Sequence, residues 1–137
     1  MRFEIPGVGL VVSTTPIIPN GHFSWGEATK DGQRIPANKD ISQNIIKVAM
    51  ALEDVREFLG NKPIKIHSWY RPPSINRAVR GASHSRHLVG DAVDFSISGI
   101  CPLSVYDRLT PWWKGGLGRS PNFTHLDLRG TRARWNY

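Results

Sequence analysis

The chain has 137 residues, 39% of them hydrophobic and 21% charged, with a formal net charge of +7. That length suits one domain with a single hydrophobic core, and the composition is that of a folded chain rather than a disordered one. Membrane insertion is not expected, because no run approaches the roughly 18–20 apolar residues that a bilayer requires.

A single cysteine, Cys101, rules out an internal disulfide and a C-x-x-C metal site, and its expected place is a small buried position. At the start of the chain Glu4 and Pro6 interrupt a short apolar stretch, so no signal peptide is read. The protein is therefore expected to act within the cell that makes it or to leave by another route. The excess of positive charge suits an anionic partner: nucleic acid, an acidic membrane, or a wall rich in phosphate and carboxylate. The densest basic group, Arg129, Arg132 and Arg134, reads as a solvated surface.

In chain order, residues 1–40 are rich in Gly, Pro and Asn and predict short strands or loops. They form an arm anchored by Phe23, Ser24 and Trp25. From Ser42 to Leu59 the apolar positions Ile45, Val48, Leu52, Val55 and Leu59 recur at helical spacing. Ser42 or Asp40 is placed to cap that helix and Gly60 to end it. Residues 63–70 alternate as a strand until Arg71-Pro72-Pro73 stops it, and Ser74 is placed to cap a short helix over 75–80. A polar loop leads to a second strand over 90–97. Pro102 then suits the first turn of a helix over 102–114, which Pro111 would end. A glycine loop, 114–122, precedes a third strand over 123–129. The elements predict a small α+β protein with an antiparallel sheet and helices on one side.

Alternation along the second strand turns Val93, Phe95 and Ile97 one way and Asp94 the other. His87 lies in the loop that feeds this strand. In the third strand Phe123, His125 and Asp127 share a face. Two strands and a loop can thus present two imidazoles and a carboxylate to one place, a common catalytic zinc set with an open fourth position. Residue pattern by itself leaves open whether they are ligands or solvated polar groups.

Ser85-Arg86-His87-Leu88-Val89-Gly90-Asp91-Ala92-Val93-Asp94 matches S-x-H-x-x-G-x-A-x-D at every fixed position. It resembles the signature of the zinc D-alanyl-D-alanine carboxypeptidase and murein endopeptidase family, within the lysostaphin, carboxypeptidase and hedgehog fold group. Residues 68–76 resemble the family's S-x-Y-R-x-P-x-x-N. Gly116-Leu117-Gly118 with residues 123–130 resembles its G-x-G and F-x-H-x-D-x-R-G ending, that of the H-x-D branch. The resemblance covers roughly residues 42–130.

This resemblance implies a hedgehog-like or DD-peptidase-like fold across 1–137 and zinc ligands His87, Asp94 and His125. Arg71 would bind a substrate carboxylate or the oxyanion, a task suited to a guanidinium fork. Ser85 would orient a ligand or the substrate. Several relatives carry an acid three residues before the last histidine, where this chain has Asn122. Asp127 is then either the general base or a partner to His125 or Arg71, and His84 is a further candidate for proton transfer. Trp112, Trp113 and the glycine loop are expected to border the cleft, with Trp113 on the substrate.

The implied activity is zinc-dependent hydrolysis of stem peptides or cross-links in bacterial peptidoglycan, as a carboxypeptidase or an endopeptidase. The setting would be a phage lysin or virion-associated hydrolase working as a monomer, with no nucleic-acid partner. The rival is a wall-binding or virion module that keeps the zinc fold without catalysis.

Overall fold

The structure is a computed structural model and describes residues 2–137. The expected arm is a hairpin of β1 (Arg2–Ile5) and β2 (Gly9–Val12), followed by the short helix α1 (Trp25–Thr29). Ser24 starts α1 because its hydroxyl accepts from Glu27 N–H while the Glu27 carboxylate accepts from Ser24 N–H, a reciprocal cap. Phe23 and Trp25 on either side are buried, so this segment anchors the arm as expected.

Helix α2 (Lys39–Phe58) buries Ile45, Val48, Ala49, Leu52 and Val55 along one stripe. It begins three residues before the expected start. Asn38 is its cap, with Oδ1 accepting from Ile41 N–H at 3.0 Å, and Ser42 lies buried within the first turns. β3 (Ile64–Ser68) follows, then α3 (Pro73–Ala78), which starts on prolines and has no side-chain cap, so Ser74 does not serve as one. A 3₁₀ turn (Arg86–Val89) leads into β4 (Ala92–Ile97), and α4 (Pro102–Leu109) is shorter than expected. Cys101, expected in the core, is exposed, because it sits on the surface turn that enters α4.

The α+β class holds, with a mixed five-stranded sheet in the order β3-β4-β6-β5-β7. β5 (Gly116–Arg119) occupies what reads as a glycine loop, β6 (Thr124–Asp127) is the expected third strand, and β7 (Ala133–Asn136) closes the edge. All pairings are antiparallel except that of β5 with β7, which is parallel and departs from the expected antiparallel sheet. Val93, Phe95, Leu117 and Leu126 line one face of the sheet. They form the core with the buried faces of α2 and α4.

Arg134 explains why a polar tail can hold an edge strand. Its guanidinium donates to the carbonyls of Thr110, Trp113 and Gly115 and to Thr110 Oγ1, tying β7 to the end of α4. Arg134 is therefore not the solvated surface residue expected, whereas Arg132 is exposed. Arg134→Ala is expected to lower unfolding free energy by roughly 1–3 kcal/mol, since charge-assisted bonds are lost and carbonyls are stranded. Urea denaturation checks this, and an unchanged midpoint would remove the strap.

Candidate metal centre

The register of the sheet builds the site. Asp94 on β4 pairs directly with His125 on β6, and His125 pairs with Gly118 on β5. The row continues to Ser68 on β3 at one end and Trp135 on β7 at the other. It lies on the face opposite the core, because its neighbours Val93, Leu126 and Leu117 point into the core.

His87 reaches the same point from the 3₁₀ turn. Ser85 Oγ accepts from His87 N–H at 3.2 Å, and Gly90 ends the turn at φ 78°, a left-handed conformation suited to glycine. The His87 carbonyl accepts from Arg71 N–H at 3.0 Å. On the ring, Nδ1–H donates to the Trp69 carbonyl at 2.6 Å, which leaves Nε2 as the free nitrogen. That nitrogen is buried with no hydrogen-bond partner and lies 3.3 Å from Asp94 Oδ2. An imidazole with one nitrogen fixed on a backbone carbonyl and the other bare is the usual presentation of a metal ligand.

His125 lies between two carboxylates. Nδ1 is 2.9 Å from Asp94 Oδ1 and Nε2 is 2.8 Å from Asp127 Oδ2. Ligand atoms of His87, Asp94 and His125 all fall within 4.8 Å of one another, so this group can hold a metal ion. Two imidazoles and a carboxylate suit zinc, and the bare Nε2 of His87 is an observation of this site that a cation would satisfy.

Asp127 is fully buried and committed elsewhere. Its carboxylate accepts from His125, from Gly116 N–H, and from the Arg129 backbone and guanidinium. Gly116 permits this: a Cβ there would come within 2.5 Å of Asp127 Oδ1. Gly118 does the same for the aromatic cover, since a Cβ there would lie 2.6 Å from the Tyr137 ring. These close approaches account for a strand made of GLGR, a pattern that reads as a loop on propensity.

The electrostatics follow from burial opposed by partners. Burial alone raises the pKa of Asp94 and Asp127. Hydrogen bonds from His125 to both and from Arg129 to the second, with the His87 ring close beside the first, hold both well below the usual carboxylate range. Burial alone lowers His125, but Asp127 and Asp94 carry its pKa upward overall.

The centre opens into a cleft of about 500 Å³. Arg71, Ser85 and His84 line it as expected, and Arg71 Nε is buried without a partner. The opposite wall consists of Phe123, Trp135 and Tyr137, with Trp135 5.1 Å and Tyr137 6.3 Å from the His125 ring. Sequence reasoning missed Trp135 and Tyr137, because only the pairing of β7 with β5 brings them there. Arg129, read as a solvated residue, instead spans Asp127 and the Trp135 face, 4.8 Å from the ring centroid. Trp112, Trp113 and the glycine segment 115–118, expected to border this cleft, do not line it, and the Trp113 indole N–H donates to the Asp127 carbonyl at 3.1 Å. Asn122 is exposed on the turn before β6 and does not line the cleft.

An α+β fold whose sheet and 3₁₀ turn bring a His–Asp–His cluster into a basic cleft defines a protein with a candidate metal centre. The sequence profile of the Peptidase M15 family matches residues 21–127, and the chain belongs to that family. A zinc D-Ala-D-Ala carboxypeptidase of Streptomyces albus G is 35% identical over 67 residues, 47% of this chain and 26% of the relative. A probable peptidoglycan L,D-endopeptidase MepK of Haemophilus influenzae is 35% identical over 82 residues, 55% of this chain and 44% of the relative. The peptidoglycan L,D-endopeptidase MepK of Escherichia coli is 33% identical over 81 residues, 54% of this chain and 44% of the relative. The match thus covers less than half of each of these relatives. Among the described residues no helix is long and apolar enough to cross a membrane.

His125 also sets a pH dependence. A group whose folded pKa lies above its unfolded value of about 6.5 stabilises the fold below that value, and this is lost as pH rises through the folded pKa. Metal-free protein is therefore expected to melt at a lower temperature near pH 8.5 than near pH 6. Metal affinity should move the other way, because the ion replaces the proton on Nδ1. Thermal melts and a competitive metal titration at both pH values test the pair. A metal-free melting temperature that climbs across this range would contradict the raised His125.

Proposed function

We propose that this chain is a zinc-dependent peptidase that hydrolyses peptide bonds in bacterial peptidoglycan, in stem peptides or their cross-links, with 1–137 as one catalytic unit. The observation that carries the reading is the bare, buried Nε2 of His87 beside the Asp94 carboxylate and His125 Nδ1. Family membership and the printed activities of the relatives give the substrate class. The net charge of +7 suits an anionic wall, reached by cell lysis or from within a virion.

Zinc held by His87, Asp94 and His125 would supply a Lewis acid and lower the pKa of water at the open position. The chain does the rest. Trp69 O fixes the tautomer of His87 through Nδ1–H, and Asp127 fixes that of His125 through Nε2–H. Arg71, with Nε unpaired in the cleft, binds the substrate carboxylate or the oxyanion that develops on the scissile carbonyl. Ser85 sets the turn that aims His87.

Asp127 acts as a positioning residue in this scheme, because every side of its carboxylate is already occupied by donors. Asp127→Ala is expected to weaken zinc binding about 10–100-fold, the range seen when a ligand histidine loses its outer partner. A competitive chelator titration reads it. Full zinc affinity with turnover abolished would instead make Asp127 the base.

Digestion of purified sacculi with product masses tests the whole reading. Chelator should stop the release of new amines and zinc should restore it, while Arg71→Ala should cut kcat/KM by roughly 10²–10³-fold. Chelator-insensitive cleavage would sink the zinc mechanism. Stoichiometric zinc with no cleavage would favour a wall-binding module, a reading that the exposed Asn122 motivates.

A further inference from the structure

A second concavity, of about 380 Å³, opens where α4 ends, beside the metal cleft. Trp112 and Trp113 form its aromatic lining, with Asp54, Lys114 and Arg129 at its edges. Trp112 stacks on Phe58 with centroids 4.6 Å apart and planes 7° from parallel, yet these residues are 39% and 45% exposed. Two large aromatic side chains held flat against each other at the surface make a rigid platform that the core does not use. Trp113 is equally fixed, by its bond to the Asp127 carbonyl. Arg129 lines both concavities, so the platform continues directly into the metal cleft.

We propose that this platform binds the glycan strand of the wall polymer, seating a pyranose ring against Trp112 and Trp113 while the attached peptide enters the metal cleft. This rests on the peptidoglycan reading above. The chemistry favours a sugar over an apolar peptide. One face of a pyranose is a sheet of C–H groups that packs on the negative face of an indole. Its rim of hydroxyl and acetamido groups needs donors and acceptors at the edges, which Lys114, Arg129 and Asp54 supply. A concave site that combines two tryptophans with a few charged side chains has the general form of a small-ligand site. The shared Arg129 places the sugar and the peptide on adjoining parts of one substrate.

The test uses the zinc-loaded full chain and a soluble trimer of β-1,4-linked N-acetylglucosamine, followed by tryptophan fluorescence and by amide shifts in NMR. Saturable changes centred on Trp112 and Trp113 are expected in the millimolar range. Trp112→Ala should weaken binding roughly tenfold, the loss of about one aromatic contact. The exposed Asp54→Asn, which leaves the packing of α2 intact, should weaken it several-fold.

Trp112→Ala is also expected to digest intact sacculi several-fold more slowly while hydrolysing a glycan-free stem peptide at the parent rate. No saturable response to the trimer would overturn the proposal, as would sacculus digestion by Trp112→Ala at the parent rate. So would a face that responds only to protein concentration, which would mark contact between copies. Trimer binding needs no turnover, so a protein that binds the trimer but cleaves nothing would fail the peptidase reading and keep this one.

Discussion

The pairing of Asp94 with His125 across β4 and β6 is the constraint on which the rest of the site depends. Side chains alternate along a strand, so a slip of one residue would send both to the core face and bring Val93 and Leu126 to the cleft. The core prevents that slip. Val93, Phe95, Leu117 and Leu126 are buried together against α2 and α4, and each is one residue from a member of the polar row. The same packing that stabilises the sheet therefore holds two of the three residues of the cluster in register.

Burying that much charge requires internal compensation. Asp94, His125, Asp127 and Arg129 form a chain of alternating charge in the metal-free protein, each held by hydrogen bonds to the next. A buried charge without a partner would cost several kcal/mol, so removal of one member is felt by its neighbours. A divalent ion held by this cluster would take the place of the proton between His125 and Asp94 and would satisfy His87 Nε2 as well.

Around this centre the cleft has two different walls. One wall of the cleft is basic, with Arg71 foremost, and the other is aromatic, from Phe123, Trp135 and Tyr137. The first presents guanidinium donors to the cleft and the second stands beside the His125 ring. Beyond Arg129 lies the exposed Phe58–Trp112 stack, and Arg129 joins that side of the molecule to the His–Asp–His cluster through Asp127.

Local pattern was enough to read α2 and the alternation of β4 and β6, because periodicity is a property of neighbouring residues, whereas His87, Asp94 and His125 were singled out as a set by the family resemblance. The capping of α1 by Ser24 is equally local, yet the Gly- and Pro-rich arm reads only as strands or loops and does not predict α1. Other features required the folded chain. Gly116 and Gly118 lie in a strand because Asp127 and the Tyr137 ring occupy the space a side chain would take, and nothing within residues 114–122 announces that. Arg134 became a strap, and Trp135 a wall of the cleft, only through a parallel pairing with a strand that is distant in sequence. Asp127 shows the division most clearly. Its place beside His125 on one strand face was legible from alternation. That its carboxylate is buried and fully bonded was decided by Gly116 and Arg129, which tertiary structure brings to it.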